Sequence, residues 1–470
     1  LQYISTRGET APLTFSEAML AGLARDGGLY VPHAYPGLSH VDVASFAGRS
    51  YGEVAQAVIA PYLGGQIDAP SLASMVEAAY ATFDHAAVTP LVQLDDNLFF
   101  LELFHGPTLA FKDVAMQLLA RLMDHVLGAR DQRLTIVGAT SGDTGAAAIE
   151  AFKGRENIDV FILYPHNRVS DVQRRQMTTA PENNIHVIAL EGTFDDAQAI
   201  LKALFNDKVF RDEVGLTGVN SINWARVLAQ IVYYFTSAVA LGGPHRAASF
   251  AVPTGNFGDI LAGYIAKRMG LPVERLIVAT NENDILARTL ATGRYEVRGV
   301  TPTQSPSMDI QISSNFERLL FEAAHRDAGV VRNYMARLKQ SGAFDLAGAD
   351  LAAIRADFDA FAVDEPTTCD EIARTYRETG YILDPHSAVG VTAARSALSK
   401  DPHTPMIALG TAHPAKFPDA VMQATGIKPA LPARLAAIMQ GRERFDVLAN
   451  DQAAVTDYIR ARARAARLPA

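Results

Sequence analysis

Lys112 stands in the run HGPTLAFKD at residues 105–113, directly after an aromatic residue and behind a Gly-Pro turn. A lysine amine reacts with carbonyls only where its surroundings favour the neutral amine or a Schiff base. The turn predicts a helix onset at residues 107–111, which places Lys112 in the first helical turns. There the positive end of the helix dipole disfavours an ammonium. A solvated surface lysine is the alternative, and only the rest of the chain decides between the two.

Two glycine-rich runs could receive anions: GATSGDTG at 138–145 and PTGNFGD at 253–259. Small residues let peptide N–H groups approach a ligand, and a following helix adds its positive end. Hydroxyls of Thr140, Ser141 and Thr144 can donate to a carboxylate or phosphate. For the first run, an ordinary tight turn with Ser and Thr capping a helix is an equally good account. Neither run has the spacing of a nucleotide P-loop or a dinucleotide fingerprint, which points away from ATP, GTP and NAD. A third group is Asn223, Arg226 and Gln230, whose spacing of three and four puts them on one helix face. An arginine flanked by amides suits capture of a phosphate or carboxylate. Its helix continues strongly apolar to Phe235, so burial is expected and the arginine needs a partner.

These groups must be held by regular elements. Apolar runs at 134–137, 160–164, 185–190, 250–252 and 276–279 alternate with helical periods at 142–152, 169–177, 194–205 and 258–269. That alternation predicts parallel sheet covered on both faces. Ligands of such sheets sit beyond the carboxyl ends of strands, where both glycine runs fall. Earlier in the chain, a Thr14–Glu17 capping box and helical patterns at 42–62 and 72–83 predict an α-rich module of about eighty residues. After residue 315 the pattern is helical apart from a strand at 406–409.

Composition bounds the rest. A chain of 470 residues is expected to form two or three domains. With 49% hydrophobic and 20% charged residues it is globular, and a net charge of −9 speaks against non-specific nucleic-acid binding. Cys369 is the only cysteine, so neither an intrachain disulfide nor a thiolate metal cluster can form. No apolar run is long enough to span a bilayer, and the first residues do not form a secretory leader. The expectation is a soluble, cytoplasmic protein without nucleic-acid or membrane partners.

In their order along the chain, HGPTLAFKD, TSGDTG (140–145), NSINWARVLAQ (220–230), PTGNFGD, SMDIQISSNFERL (307–319), DPHSAVG (384–390) and TAHPAKFP (411–418) resemble the threonine synthases. Those are pyridoxal-phosphate enzymes of fold type II, the tryptophan-synthase β-like kind, and the likeness is to their microbial and fungal branch. The resemblance implies an α/β protein: two parallel-sheet α/β domains with an α-rich N-terminal module and a helical C-terminal insertion. The divisions expected are 1–84 for the module, 85–130 with 211–425 for a large cofactor domain, 131–210 for a small substrate domain, and 426–470 for a helical tail. The insertion is placed near 315–380.

By the same resemblance, Lys112 is the lysine joined as an imine to pyridoxal 5'-phosphate. Gly255, Asn256, Phe257, Gly258 and Asp259 hold the cofactor phosphate, and Thr411 meets the pyridine nitrogen, which a hydroxyl leaves unprotonated. Thr140, Ser141, Gly142, Asp143 and Thr144 receive the substrate carboxylate, while Asn223 and Arg226 are candidates for the substrate phosphate. No metal is implied. The implied reaction converts O-phospho-L-homoserine and water to L-threonine and phosphate, the freed Lys112 amine moving protons at Cα and Cβ. A monomer or homodimer is expected.

Some residues stand apart. Arg174 and Arg175 occupy positions usually acidic in the family and read as surface residues, while His386 and His413 read as structural hydrogen-bonding groups. Trp224, the only tryptophan, is expected near the cofactor. The rival within the fold is a serine/threonine dehydratase or a cysteine synthase-like lyase; Asp143 stands where those loops usually carry asparagine. A non-catalytic phospholigand-binding protein is the rival of another class, and Lys112 speaks against it.

Overall fold

Six strands of one sheet and five of another, each sheet flanked by helices, organise the chain in this computed structural model, which describes residues 1–140 and 142–467. The large sheet has the order Phe358–Ala362, Val273–Thr280, Ala248–Pro253, Met406–Gly410, Leu98–Glu102, Leu91–Asp95. Neighbours run parallel except the last two, which form a hairpin. The small sheet, Asp446–Ala449, Ile185–Glu191, Ile158–Pro165, Leu134–Ala139, Leu216–Thr217, is parallel throughout.

The central strands Ala248–Pro253, Met406–Gly410 and Ile158–Pro165 are buried along their whole length. Strands covered on both faces read as unbroken apolar runs, which is why the sequence reveals them. Alternate residues serve opposite faces. Phe250, Val252, Leu276 and Val278 enter a core shared with Val227, Ile231 and Phe235 of the Trp224–Ala240 helix. Ala251, Ile277 and Ala279 enter another, with Val389 and Val391 of the Pro385–Leu398 helix.

The N-terminal module pairs Tyr3–Ser5 with Tyr30–Pro32 and adds helices that include Phe15–Ala21, Tyr51–Ile59 and Ala69–Tyr80. Its Thr14–Glu17 capping box is formed. The helical stretch expected over 42–62 is broken, because Gly48 takes φ +76° and Ser50 caps a new helix through a second capping box with Glu53. The module does not stand apart. Tyr3 and Tyr62 flank Trp224 with ring centroids at 5.8 and 6.0 Å. The lone tryptophan therefore packs against this module at the start of the helix that carries Arg226.

Three segments depart from the expected divisions. Residues 315–380, expected as a helical insertion, contain Phe358–Ala362, the edge strand of the large sheet, and Ala343–Asp345, which pairs with Arg294–Glu296. The tail at 426–470, expected as helical, supplies Asp446–Ala449 to the small sheet beside Ile185–Glu191. Leu216–Thr217 falls beyond the expected 131–210 span yet pairs with Leu134–Ala139 in that sheet. Phe358–Ala362 and Asp446–Ala449 bury little and Leu216–Thr217 is only two residues long, so no apolar run announces them. No described helix is long and apolar enough to cross a membrane.

One buried hub connects these regions. The Arg318 guanidinium donates to the Tyr30 carbonyl at 3.0 and 2.8 Å, to the Ile222 carbonyl at 2.7 Å, and to Asn315 Oδ1. Asn315 Nδ2 donates in turn to the carbonyls of Ser221 at 3.0 Å and Asn256 at 3.1 Å. Neutral carbonyls thus satisfy a buried cation while locking the N-terminal module to the 253–259 loop.

Candidate active site

The helix that carries the lysine runs Lys112–Arg130, so it begins at Lys112 itself and later than the predicted 107–111. Asp113 is the cause. Its carboxylate accepts from Thr108 N at 2.7 Å and Thr108 Oγ1 at 2.8 Å, curling the preceding residues into a loop where Leu109 takes φ +59°. Phe111 N–H donates to the Thr411 carbonyl at 2.9 Å, which fastens this loop to the end of Met406–Gly410. Lys112 is buried there. Burial pushes its amine down to about 8; Asp143 opposes the shift, and Lys416 and Arg226 reinforce it. An amine so placed can act as a nucleophile or a base near neutral pH.

Residues 255–259 join Ala248–Pro253 to the Gly258–Arg268 helix, with Phe257 at φ +63°. Their carbonyls are tied from behind: Ser313 Oγ donates to Gly255 O at 2.7 Å, and Asn315 N to Asn256 O at 3.0 Å. The N–H groups of Gly255, Asn256 and Phe257 meet no acceptor among the described residues, and the first amides of a helix have none within it. A Cβ on Gly255 would lie 3.2 Å from Ser307 O, and one on Gly258 3.3 Å from Asn315 Nδ2. The result is a packed row of donors at a helix start, suited to a phosphate. Asp259 offers only its amide. Its Oδ1 accepts from Tyr233 at 2.5 Å and Tyr234 at 3.0 Å, and burial pushes the carboxyl up to about 6. Thr411 is buried at the carboxyl end of Met406–Gly410, with its amide on Ser387 Oγ at 3.1 Å and its hydroxyl without a partner among the described residues.

Of the 140–144 loop, Ser141 lies outside the described residues. Thr140 braces the loop, its Oγ1 accepting from Gly142 N at 2.9 Å and Gly145 N at 3.0 Å. Gly142 has φ +143°, and a Cβ there would come within 2.4 Å of the Gln173 amide carbon. Asp143 does not face an incoming carboxylate. Its Oδ1 accepts from Lys416 Nζ at 2.7 Å and Gln173 Nε2 at 3.2 Å, and its Oδ2 is 3.7 Å from Lys112 Nζ. Against burial, Lys416 and Lys112 hold this carboxyl well below the usual range. What the described residues of the loop can give an anion is the Asp143 and Thr144 amides and the Thr144 hydroxyl. Sequence reasoning passes over Lys416, a fully buried side chain in the run TAHPAKFP that no spacing rule marks.

Asn223 and Arg226 part company. Asn223 is the N-cap of Trp224–Ala240, its Oδ1 accepting from Ala225 N at 3.0 Å and its Nδ2 donating to Met19 O at 2.9 Å in the N-terminal module. Fully buried and engaged at both ends, it is a cap and not the phosphate ligand expected. Asn223→Ala should cost about 1–3 kcal/mol of stability through the lost cap and the orphaned carbonyl. KM should stay unchanged; thermal denaturation beside steady-state kinetics checks both. Arg226 is buried too, but among the described residues Nη1 meets only the Val219 carbonyl at 3.1 Å and Nε has no partner. Burial pushes this guanidinium down to about 10. No described carboxylate pairs with it, so an anion from outside is its natural complement.

The remaining residues singled out bond to other parts of the chain. Ser307 N–H donates to His386 Nε2 at 3.3 Å, which leaves Nδ1–H for Asp384 Oδ1 at 2.9 Å. His413 Nδ1 accepts from Ala415 N at 3.1 Å. Arg174 and Arg175 reach Glu443 at 2.9 and 3.5 Å, pinning the C-terminal segment to the Asp171–Thr178 helix.

Family models match the chain in succession: threonine synthase N terminus over 2–80, pyridoxal-phosphate dependent enzyme over 82–406, and threonine synthase C-terminal over 387–459. The threonine synthase of Pseudomonas aeruginosa is 52% identical over 460 residues, covering 98% of each chain. The chain belongs to the threonine synthase family. Threonine synthase of Saccharomyces cerevisiae is 44% identical, covering 90% of this chain and 88% of its own length. The crystal structure of PLP-bound threonine synthase from Brucella melitensis matches with a TM-score of 0.96 at 59% identity, covering 98% of this chain and 99% of that one. The Escherichia coli threonine synthase structure follows at 0.82 and 32%, covering 98% and 100%. Fold type II, pyridoxal 5'-phosphate as cofactor and threonine synthase activity are thereby settled for this member of the family.

Proposed function

We propose that Lys112, the 255–259 loop and Thr411 hold pyridoxal 5'-phosphate, and that Arg226 and the 140–144 loop hold O-phospho-L-homoserine for conversion with water to L-threonine and phosphate. The residues fit the cofactor in three places. A row of unanswered amides suits its phosphate, an unengaged Thr411 hydroxyl its ring nitrogen, and a buried amine of lowered proton affinity its aldehyde. When bound, the cofactor supplies that aldehyde for the substrate amine and a conjugated ring that stabilises negative charge at Cα.

The chain's own groups do the rest. The Asp143 and Thr144 amides orient the substrate carboxylate at a helix start. Lys112 Nζ takes a proton from Cα and hands it to the substrate phosphate, then takes one from Cβ; that second loss drives out hydrogen phosphate from Cγ with the electron pair of the C–O bond. Arg226 neutralises the charge of that departing group. The product methyl requires a proton delivered to Cγ, which Lys112 returns. Water then adds its hydroxyl at Cβ, giving a proton to the amine, and a last proton goes back to Cα.

The observation that carries this over a dehydratase is Arg226, a buried guanidinium without a counter-ion among the described residues that presses on the Lys112 amine. A dehydratase has no use for it. The test is to supply O-phospho-L-homoserine and assay phosphate and threonine, then L-serine and assay ammonia. Equal amounts of phosphate and threonine, without ammonia from serine, are expected; ammonia release without phosphate release would replace this reading with a dehydratase.

A further inference from the structure

Two buried lysines converge on one buried carboxylate. Asp143 opens the Asp143–Phe152 helix of the small sheet, while Lys416 sits in the turn Pro414–Lys416 that follows the large-sheet strand Met406–Gly410. The Lys416 ammonium, fully buried, donates to Asp143 Oδ1 at 2.7 Å and to the Thr108 carbonyl at 2.9 Å. Thr108 belongs to the loop that delivers Lys112, and Gln176 Nε2 from the Asp171–Thr178 helix reaches the same carbonyl at 3.1 Å. Lys112 Nζ, by contrast, stays 3.7 Å from Asp143 Oδ2. A charge-assisted bond is about 2.7–2.9 Å long, so the carboxylate is committed to Lys416 and only loosely to Lys112.

We propose that Lys416 is a positioning residue: it clamps the substrate loop of the small sheet onto the Lys112 loop of the large one, and it keeps Asp143 from capturing the Lys112 amine. This rests on Lys112 being the cofactor lysine. The physical argument concerns what a buried carboxylate does when its partner is removed. Without Lys416, Asp143 would retain one cation within reach, and an unpaired buried charge is costly enough to draw that cation into a full ion pair. Lys112 would then be held as an ammonium, which can neither join an aldehyde nor accept a proton. Other charged groups face the cluster. Arg226 on Trp224–Ala240 disfavours an ammonium at Lys112, the His386 ring on Pro385–Leu398 is occupied by Ser307 N and Asp384, and Asp113 is turned to Thr108. None of these can stand in for Lys416, because none bonds Asp143.

The test traps the cofactor on the holoenzyme with borohydride across a pH series and quantifies the adduct on Lys112 by peptide mapping. Lys416→Met should move the midpoint of trapping to more alkaline pH by at least about one unit. The charge-neutral pair Lys416→Met with Asp143→Asn should bring it back toward the parent value, which a merely structural role would not do. Asp143→Asn alone should move the midpoint the other way, since Lys112 loses its one nearby carboxylate; this variant decides the matter should Lys416→Met not fold. An unshifted midpoint in Lys416→Met, or a double variant further from the parent than either single change, would overturn the clamp alone. A parent without adduct on Lys112 at any pH would overturn the Lys112 assignment and the clamp together.

Discussion

Lys112→Ala should abolish threonine formation and lower phosphate release from O-phospho-L-homoserine by at least about 10³-fold, the upper range for a positioned acid–base group. The protein should fold and still take up pyridoxal 5'-phosphate, because the amides of 255–259 do not depend on the lysine. Stability should be unchanged or slightly higher. Alanine is the better helix former at the start of Lys112–Arg130, and Asp143 keeps its 2.7 Å bond to Lys416. Lys112→Arg should be as inactive, since a guanidinium does not shed its proton. Phosphate release, borohydride trapping and thermal denaturation on the same preparations check all three statements. An adduct that simply moved to Lys416 would reassign the reactive amine.

Arg226→Met should reduce kcat/KM by about 30- to 1000-fold, the equivalent of about 2–4 kcal/mol for one lost charged contact to a leaving phosphate. Stability should move the opposite way. The guanidinium is buried, with Nε unpartnered and one neutral carbonyl at Nη1, so replacing it with an apolar side chain of similar length removes an uncompensated charge. Inorganic phosphate should raise the melting temperature of the parent holoenzyme and leave that of Arg226→Met where it was, since only the parent retains the ligand. Parent-like kinetics in the variant would move the substrate phosphate elsewhere.

What could be read from residues alone follows burial. Strands such as Ala248–Pro253 are covered on both faces and announce themselves, and glycines before a helix mark where donors gather. Phe358–Ala362 and Asp446–Ala449 lie at sheet edges, where one residue or none is fully buried, so periodicity has nothing to detect. Asn223 shows the limit of helical spacing: it lies three residues before Arg226, but as a cap with φ −61° and ψ 126° it is not yet on the helix, and the shared-face argument fails. The pairing of Asp143 with Lys416 escaped because its meaning is a distance between two sheets, and local sequence holds no such distance. Thr140 was legible as a loop residue, yet whether its hydroxyl serves a ligand or its own loop depends on how the backbone curls back at Gly145.

The strand Asp446–Ala449 has a consequence for biogenesis. It pairs Asp446 with Ile188, so a ribosome must have made everything up to Asp446 before the edge of Ile185–Glu191 can be covered. Until then a row of unpaired backbone groups beside Val187, Ile188, Ala189 and Leu190 lies open to any other nascent chain. Chains that stop short of residue 446 should therefore stick to one another during synthesis even though Lys112, the 255–259 loop and Thr411 have all been translated.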